Sequence, residues 1–289
     1  MDTIPFEPTV RRAEGTQQLA ARHLEEVSRL IDARAQSVAE LPLRRMKEES
    51  RALAPLAALV QQDAEAATAV NNLQALSLDK RSAAMGGTHV SMNLREAVHP
   101  ARPGLNIFGP PYDWEVLQPT QGTAAKASSD KASGKFEMWH GYGGSIEGFR
   151  IATAGVSTAL RAEKGGFARI APVLNYHYEW SLRCFFGLSA FTEGWCEMIV
   201  QDGSGSVLPQ GRRTVKLWNH TSETNADGEG GDLIYTPDIE TTVALAEGQI
   251  FHVTLTGTAV VVDSGSETFG YSHAFALMRN IGIYFTVTL

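Results

Sequence analysis

The chain has 289 residues, 43% of them apolar and 20% charged, with 25 Lys and Arg against 32 Asp and Glu and a formal net charge of −7. Such a composition excludes a collagen-like or wholly disordered polymer, and without a basic excess to neutralise phosphate the chain is not expected to bind nucleic acid. The averages conceal an asymmetry: among the aromatic residues only Phe6 precedes position 108, and of 27 glycines only Gly15, Gly86 and Gly87 precede position 104.

The first residues, Met1 to Glu7, carry no basic stretch followed by an apolar run, and no segment approaches the ~18 apolar residues of a membrane span. The expectation is a cytoplasmic chain, with leaderless export invisible to this test. From Glu14 to about Leu41 the sequence is rich in Ala, Leu, Glu, Arg and Gln, with no internal proline, and reads as helix. Leu24, Ile31 and Val38 recur every seven residues, and Val27 and Leu41 fall on the interleaved positions, which makes one apolar stripe on a charged helix. Pro42 is expected to end or kink this helix. A second amphipathic segment follows over Leu43, Met46, Leu53, Leu56 and Val60, and a third, alanine-rich one runs from about Ala64 to Leu78. Residues 1–95 thus read as a helical hairpin or bundle. Its stripes have two readings: they pack on one another, or they pair with other copies of the chain, since so few large side chains bury little surface. The second reading makes the protein a homo-oligomer held by Leu24, Val27, Ile31, Val38 and Leu41.

Residues 96–134 are rich in Pro, Gly, Ser and Ala and read as a linker with one apolar knot over Leu105 to Trp114. From Lys135 the period changes from 3.6 to 2. Leu174, Tyr176, Tyr178, Trp180, Leu182, Cys184 and Phe186 take one face of a strand, while Asn175, His177, Glu179, Ser181 and Arg183 take the other. Turn-rich stretches such as Asp202-Gly203-Ser204-Gly205 and Glu247-Gly248 separate about eight such strands. Residues 135–289 therefore read as an antiparallel β-sandwich of jelly-roll or related Greek-key type. The fold class is α+β in segregated modules, helices first and sandwich second.

No Gly-x-Ser-x-Gly, Walker A, Gly-x-Gly-x-x-Gly or His-Glu-x-x-His sequence occurs, so no motif assigns a catalytic residue or a cofactor. The two cysteines, Cys184 and Cys196, read as structural thiols, and the eight histidines are scattered singly. The stretch Asp227-Gly228-Glu229-Gly230-Gly231-Asp232 is the best local candidate for a calcium-like cation, with Asp227, Glu229 and Asp232 as oxygen ligands on a mobile turn. Sugars stack on exposed aromatic rings beside polar donors. Trp139, Trp195 and Trp218 lie near strand ends or opposite an apolar series, and Trp218 stands beside Asn219 and His220.

These features describe a non-enzymatic structural or interaction protein. Its helical segment assembles or docks, and its sandwich presents a surface to a protein or glycan ligand. Two alternatives carry other expectations. A pore-forming protein would insert a hairpin from the Thr/Val/Gly-rich residues 241–262, the one circumstance in which a membrane becomes a partner. A carbohydrate-active enzyme would pair two carboxylates from Glu179, Glu193 and Glu197.

Overall fold

The computed structural model describes residues 9–14, 20–79, 105–118, 125–141, 148–184, 188–235, 239–266 and 270–289. A short strand β1 (Val10–Arg12) precedes two helices, α1 (Ala20–Gln61) and α2 (Ala64–Asp79). Twelve strands follow: β2 (Leu105–Phe108), β3 (Trp114–Leu117), β4 (Ala125–Asp130), β5 (Lys135–His140), β6 (Gly148–Ala162), β7 (Gly166–Arg183), β8 (Ala190–Asp202), β9 (Val207–Ser222), β10 (Ala226–Tyr235), β11 (Thr241–Leu245), β12 (Ile250–Ser266) and β13 (Gly270–Thr288).

All observed pairings are antiparallel, and they form two layers. In the first, β1 and β3 flank β6, which pairs with β12, then β8, then β9. In the second, β4 flanks β5; β5 and β2 lie along β13, which pairs with β7, and β7 takes β10 and β11 on its far edge. The layers join where Ser264–Ser266 of β12 pairs with Gly270–Ser272 of β13.

Strand alternation decides what each face does. On β12, Phe251, Val253, Leu255, Ala259 and Val261 enter the core between the layers. A Cβ at Gly257 on that face would stand 2.6 Å from Met138 Cε and 2.8 Å from the Phe136 ring of the opposite layer, so a side chain there would force these residues to shift. The other β12 face, with Thr254, Thr256 and Thr258, is buried as well, beneath α1.

Helix α1 packs on its own chain. His23, Val27, Ile31, Ala35, Ala39, Pro42 and Met46 are its buried positions over residues 22–50. All but His23 and Pro42 meet Ile151, Phe191, Trp195, Ile199, Val260 and Val262 of the first layer. The spacing of four along most of this stripe suits a helix laid on a sheet, whereas a heptad seam advances by threes and fours. This corrects the reading of the stripe as a contact between copies. Val27 and Ile31 are covered by the sheet, Leu24 and Val38 flank the contact, and Leu41 points outward, 72% exposed. The helix also runs through Pro42 and Pro55 without a break. A mid-helix proline costs about 3 kcal/mol. At Pro42 that cost is offset because Ala39 and Met46 seat the helix on both sides, and Glu49 accepts hydrogen bonds from the Ser189 amide and hydroxyl at 2.8 and 2.7 Å.

The expected linker contributes β2, β3 and β4, so the strand region begins well before Lys135. These strands are four to six residues long. The pattern of β4 rests on alternate Ala125 and Ala127 against Lys126, Ser128 and Asp130, which by composition looks like a polar coil. β1 likewise belongs to the sheet, although it lies in the segment read as helical.

Candidate functional site

Two cross-strand rows run over the outward face of the second layer. In the first, Lys126 of β4 pairs with Trp139 of β5, Trp139 with Leu277 of β13, Leu277 with Glu179 of β7, and Glu179 with Glu229 of β10. In the second, Ser128, Glu137, Arg279, His177 and Gly231 stand in the same order. Five strands at about 4.8 Å each make a platform roughly 19 Å wide. Trp139 is half-buried, in a T-shaped pair with Phe275 at 6.4 Å and with the Lys126 ammonium 5.7 Å from its ring centre. Arg279 Nε donates to Glu137 Oε2 at 2.5 Å, and the His177 and Glu179 side chains meet at 2.8 Å. The four side chains in these pairs are 22–44% exposed, so they remain within reach of a ligand.

Both faces of the platform strands are occupied by different work. The inward face of β7 carries Tyr176, Tyr178 and Trp180, which close the gap between the layers. Tyr178 stacks on Trp218 at 4.9 Å, and Trp180 stacks on His220 at 4.5 Å. The rings also lie over glycines of β10: a Cβ at Gly228 would come within 2.4 Å of the Trp180 ring, and one at Gly230 within 2.5 Å of Tyr178.

This arrangement corrects three of the aromatic-site expectations. Trp218 is only 5% exposed, and its indole Nε1 donates to Thr192 Oγ1 at 3.0 Å; it is a core side chain resting on Gly194. His220 is turned inward against Trp180, while Asn219, on the alternate parity, reaches Glu193 on the opposite face. Trp195 is fully buried beneath α1, with the Arg34 guanidinium 5.0 Å from its ring centre. Trp139 alone of the three tryptophans proposed for ligand contact is partly exposed, on a row whose central Leu277 is buried.

The glycine-rich acidic stretch is strand β10 and not a mobile turn. Asp227 and Glu229 occupy one parity, and Asp227 pairs with Arg183; Asp232 stands at the alternate parity, opposite Tyr176. The three residues thus do not share one register face of β10, and no cluster of three or more His, Cys, Asp or Glu suited to a metal occurs among the described residues. Of the carboxylates considered for catalysis, Glu179 lies on the platform, whereas Glu193 and Glu197 face α1 from the other layer. Glu197 accepts from Arg212 Nε at 2.5 Å and Thr214 Oγ1 at 2.9 Å. Both thiols are free. Burial pushes Cys196 up to about 12 and, with less force, Cys184 up to about 11.

A second cluster lies between α1 and the first layer. The His23 and His252 rings stack at 4.4 Å with Trp114 beside them, and both imidazoles are fully buried. His23 Nε2 lies 2.7 Å from Ser157 Oγ and 3.2 Å from Thr254 Oγ1. That distance suits a nucleophile and its base. The pair is nevertheless sealed beneath α1, and the carboxylates that act on this cluster, Asp113 and Asp202, act on His252. With α1 in place the pair therefore has no open route to a substrate.

The sequence exposed Trp139, Glu179 and the outward parity of His177. It held no local sign of Lys126, Glu137 or Arg279, which join them only through strand pairing across up to 142 positions.

The chain matches no protein-family model and none of the curated proteins. Solved structures give distant fold matches. One is the isomalto-dextranase of Arthrobacter globiformis T6 complexed with panose, at 12% identity over 56% of this chain and 23% of that one, with a TM-score of 0.17. Another is TmCBM61 in complex with β-1,4-galactotriose, at 10% identity over 58% of this chain and 86% of that one, with a TM-score of 0.20. A third is infectious bursal disease virus, Gx strain, at 12% identity over 61% and 41%, with a TM-score of 0.14. Likeness of this degree carries no functional argument. No described helix is long and apolar enough to cross a membrane.

Proposed function

We propose that this chain is a non-catalytic binding protein, a β-sandwich of jelly-roll or related Greek-key type that takes a glycan on the outward platform of β4, β5, β13, β7 and β10. The observation that carries the reading is the pair of cross-strand rows that sets Trp139 beside Glu137, Arg279, His177 and Glu179. A sugar offers one flat C–H face and a rim of hydroxyls that both donate and accept. An indole matches the first, and charged donors and acceptors a strand apart match the second, since hydrogen bonds to ionised groups are roughly twice as strong as neutral ones. The platform holds both signs of charge, which favours a neutral polyhydroxylated ligand over a strongly charged one.

The reading needs no site built from the helices, which are already engaged with the sheet. The residues proposed for a membrane hairpin lie on β11 and β12, which do not pair with each other, since β11 lies along β7 and β12 between β6 and β8. A glycan array probed with the full chain tests the proposal. Retention of a defined set of sugars by the wild type, lost in Trp139→Ala, supports it; a uniformly blank array or equal binding by the variant refutes it.

A further inference from the structure

The contact between α1 and the first layer is unusually polar. Thr153, Ser157, Thr254, Thr256 and Thr258 of the sheet are fully buried under the helix or its flank, with Glu197 and His252 among them. Several buried atoms of this contact have no hydrogen-bond partner among the described residues: both ring nitrogens of His252, Thr256 Oγ1, Glu197 Oε2, Trp195 Nε1 and, from the helix, Arg34 Nε. Such atoms are costly when sealed and relieved when wet, so they offset part of what holds the helix on the sheet. The aliphatic side of the contact is modest, with Val27, Ile31 and Met46 as the large buried residues of the helix. The core between the layers uses the opposite strand faces and does not depend on α1.

We propose that α1 is an acid-released cover, in which protonation of the stacked His23 and His252 lifts residues 20–46 from the sheet and uncovers its Ser/Thr-rich outer face. The two rings sit 4.4 Å apart, so a second positive charge meets the first at close range. Asp113, ahead of β3, and Asp202, at the end of β8, are the charged groups that act on His252, and both oppose the effect; Ser157, Thr254, Trp114 and Gln201 are the neutral neighbours. Burial, reinforced by His252, pulls His23 down to about 3 from 6.5, and burial also lowers His252. Covering therefore favours the neutral form of both rings, and release relieves that bias. Covering is fully favoured above the ordinary imidazole value and weakens as pH falls below it. At pH 5 His23 shifts the balance toward release by roughly 30-fold, and His252 acts in the same direction, opposed by Asp113 and Asp202.

Hydrogen exchange of the full chain at pH 7.5 and 5.0, corrected for intrinsic rates, tests this. Peptides from residues 20–46 should lose at least tenfold more protection at pH 5.0 than those of β7 and β13, which follow the stability of the whole fold, and His23→Gln/His252→Gln should cut that excess to less than threefold. Equal protection of α1 at the two pH values, loss of helix and strands together, or an unchanged acid response in the double variant overturns the proposal. If the double variant fails to fold, His252→Phe, which keeps a stacked ring without a titrating nitrogen, is read by the same criteria.

Discussion

Arg279 and Glu137 meet at 2.5 Å across β13 and β5, one step along the strands from Trp139. The pair is partly exposed, so its own contribution to stability is small, of the order of 0–1 kcal/mol. Its value lies in holding a guanidinium and a carboxylate at fixed positions beside an indole. Arg279→Ala should leave unfolding by denaturant within about 1 kcal/mol of wild type while weakening glycan binding at least tenfold.

Trp218 should behave as a core residue. Its ring lies against Gly194, where a Cβ would stand 2.0 Å from the indole, and stacks on Tyr178. Trp218→Ala is expected to cost about 3–5 kcal/mol of stability, as other buried aromatic truncations do. Gly194→Ala is expected to cost about 1–3 kcal/mol through overpacking. Urea titrations followed by circular dichroism measure both.

Ile31 is fully buried between α1 and the first layer. Ile31→Asp places a charge there without a partner and should loosen α1. Because the stripe faces the chain's own sheet, the particle mass by light scattering should stay that of the wild type while hydrogen exchange over residues 20–46 accelerates. A lower mass with α1 still protected would restore the reading of a contact between copies.

Acid should destabilise the whole fold through His140 as well. It is fully buried in β5 with Nε2 3.0 Å from Ala259 O, and burial pulls it down to about 3 from 6.5. The unfolded chain takes up the proton first as pH falls below 6.5, so stability is lost between about 6.5 and 3, by up to roughly 4–5 kcal/mol for this group. His140→Gln should flatten the stability profile over that range in urea titrations at stepped pH, if the variant folds.

Much of the strand region was legible because the period of two is written into single strands. The inward series Leu174, Leu182, Tyr178 and Trp180 on β7 does pack against the core. What each face then meets is set by register, which has no local signature. Parity alone left Trp218 as plausible a platform as Trp139, and only the pairing of β9 with β8, which lays Trp218 on Gly194, separates them. The acidic stretch misled for the opposite reason. Its glycines look like turn residues, yet they make room for Tyr178 and Trp180 on a paired strand. In α1, the seven-residue recurrence of Leu24, Ile31 and Val38 mimicked a coiled-coil seam on a helix whose buried residues follow mostly a spacing of four.

The platform is tested most directly by isothermal titration of the best array glycan into wild type, Trp139→Ala, Arg279→Ala and, as a control on the other layer, Asn219→Ala. Saturable binding by wild type and Asn219→Ala, with at least tenfold loss in both Trp139→Ala and Arg279→Ala, is the predicted result. Binding that survives both platform substitutions, or that is lost in Asn219→Ala instead, would contradict the account.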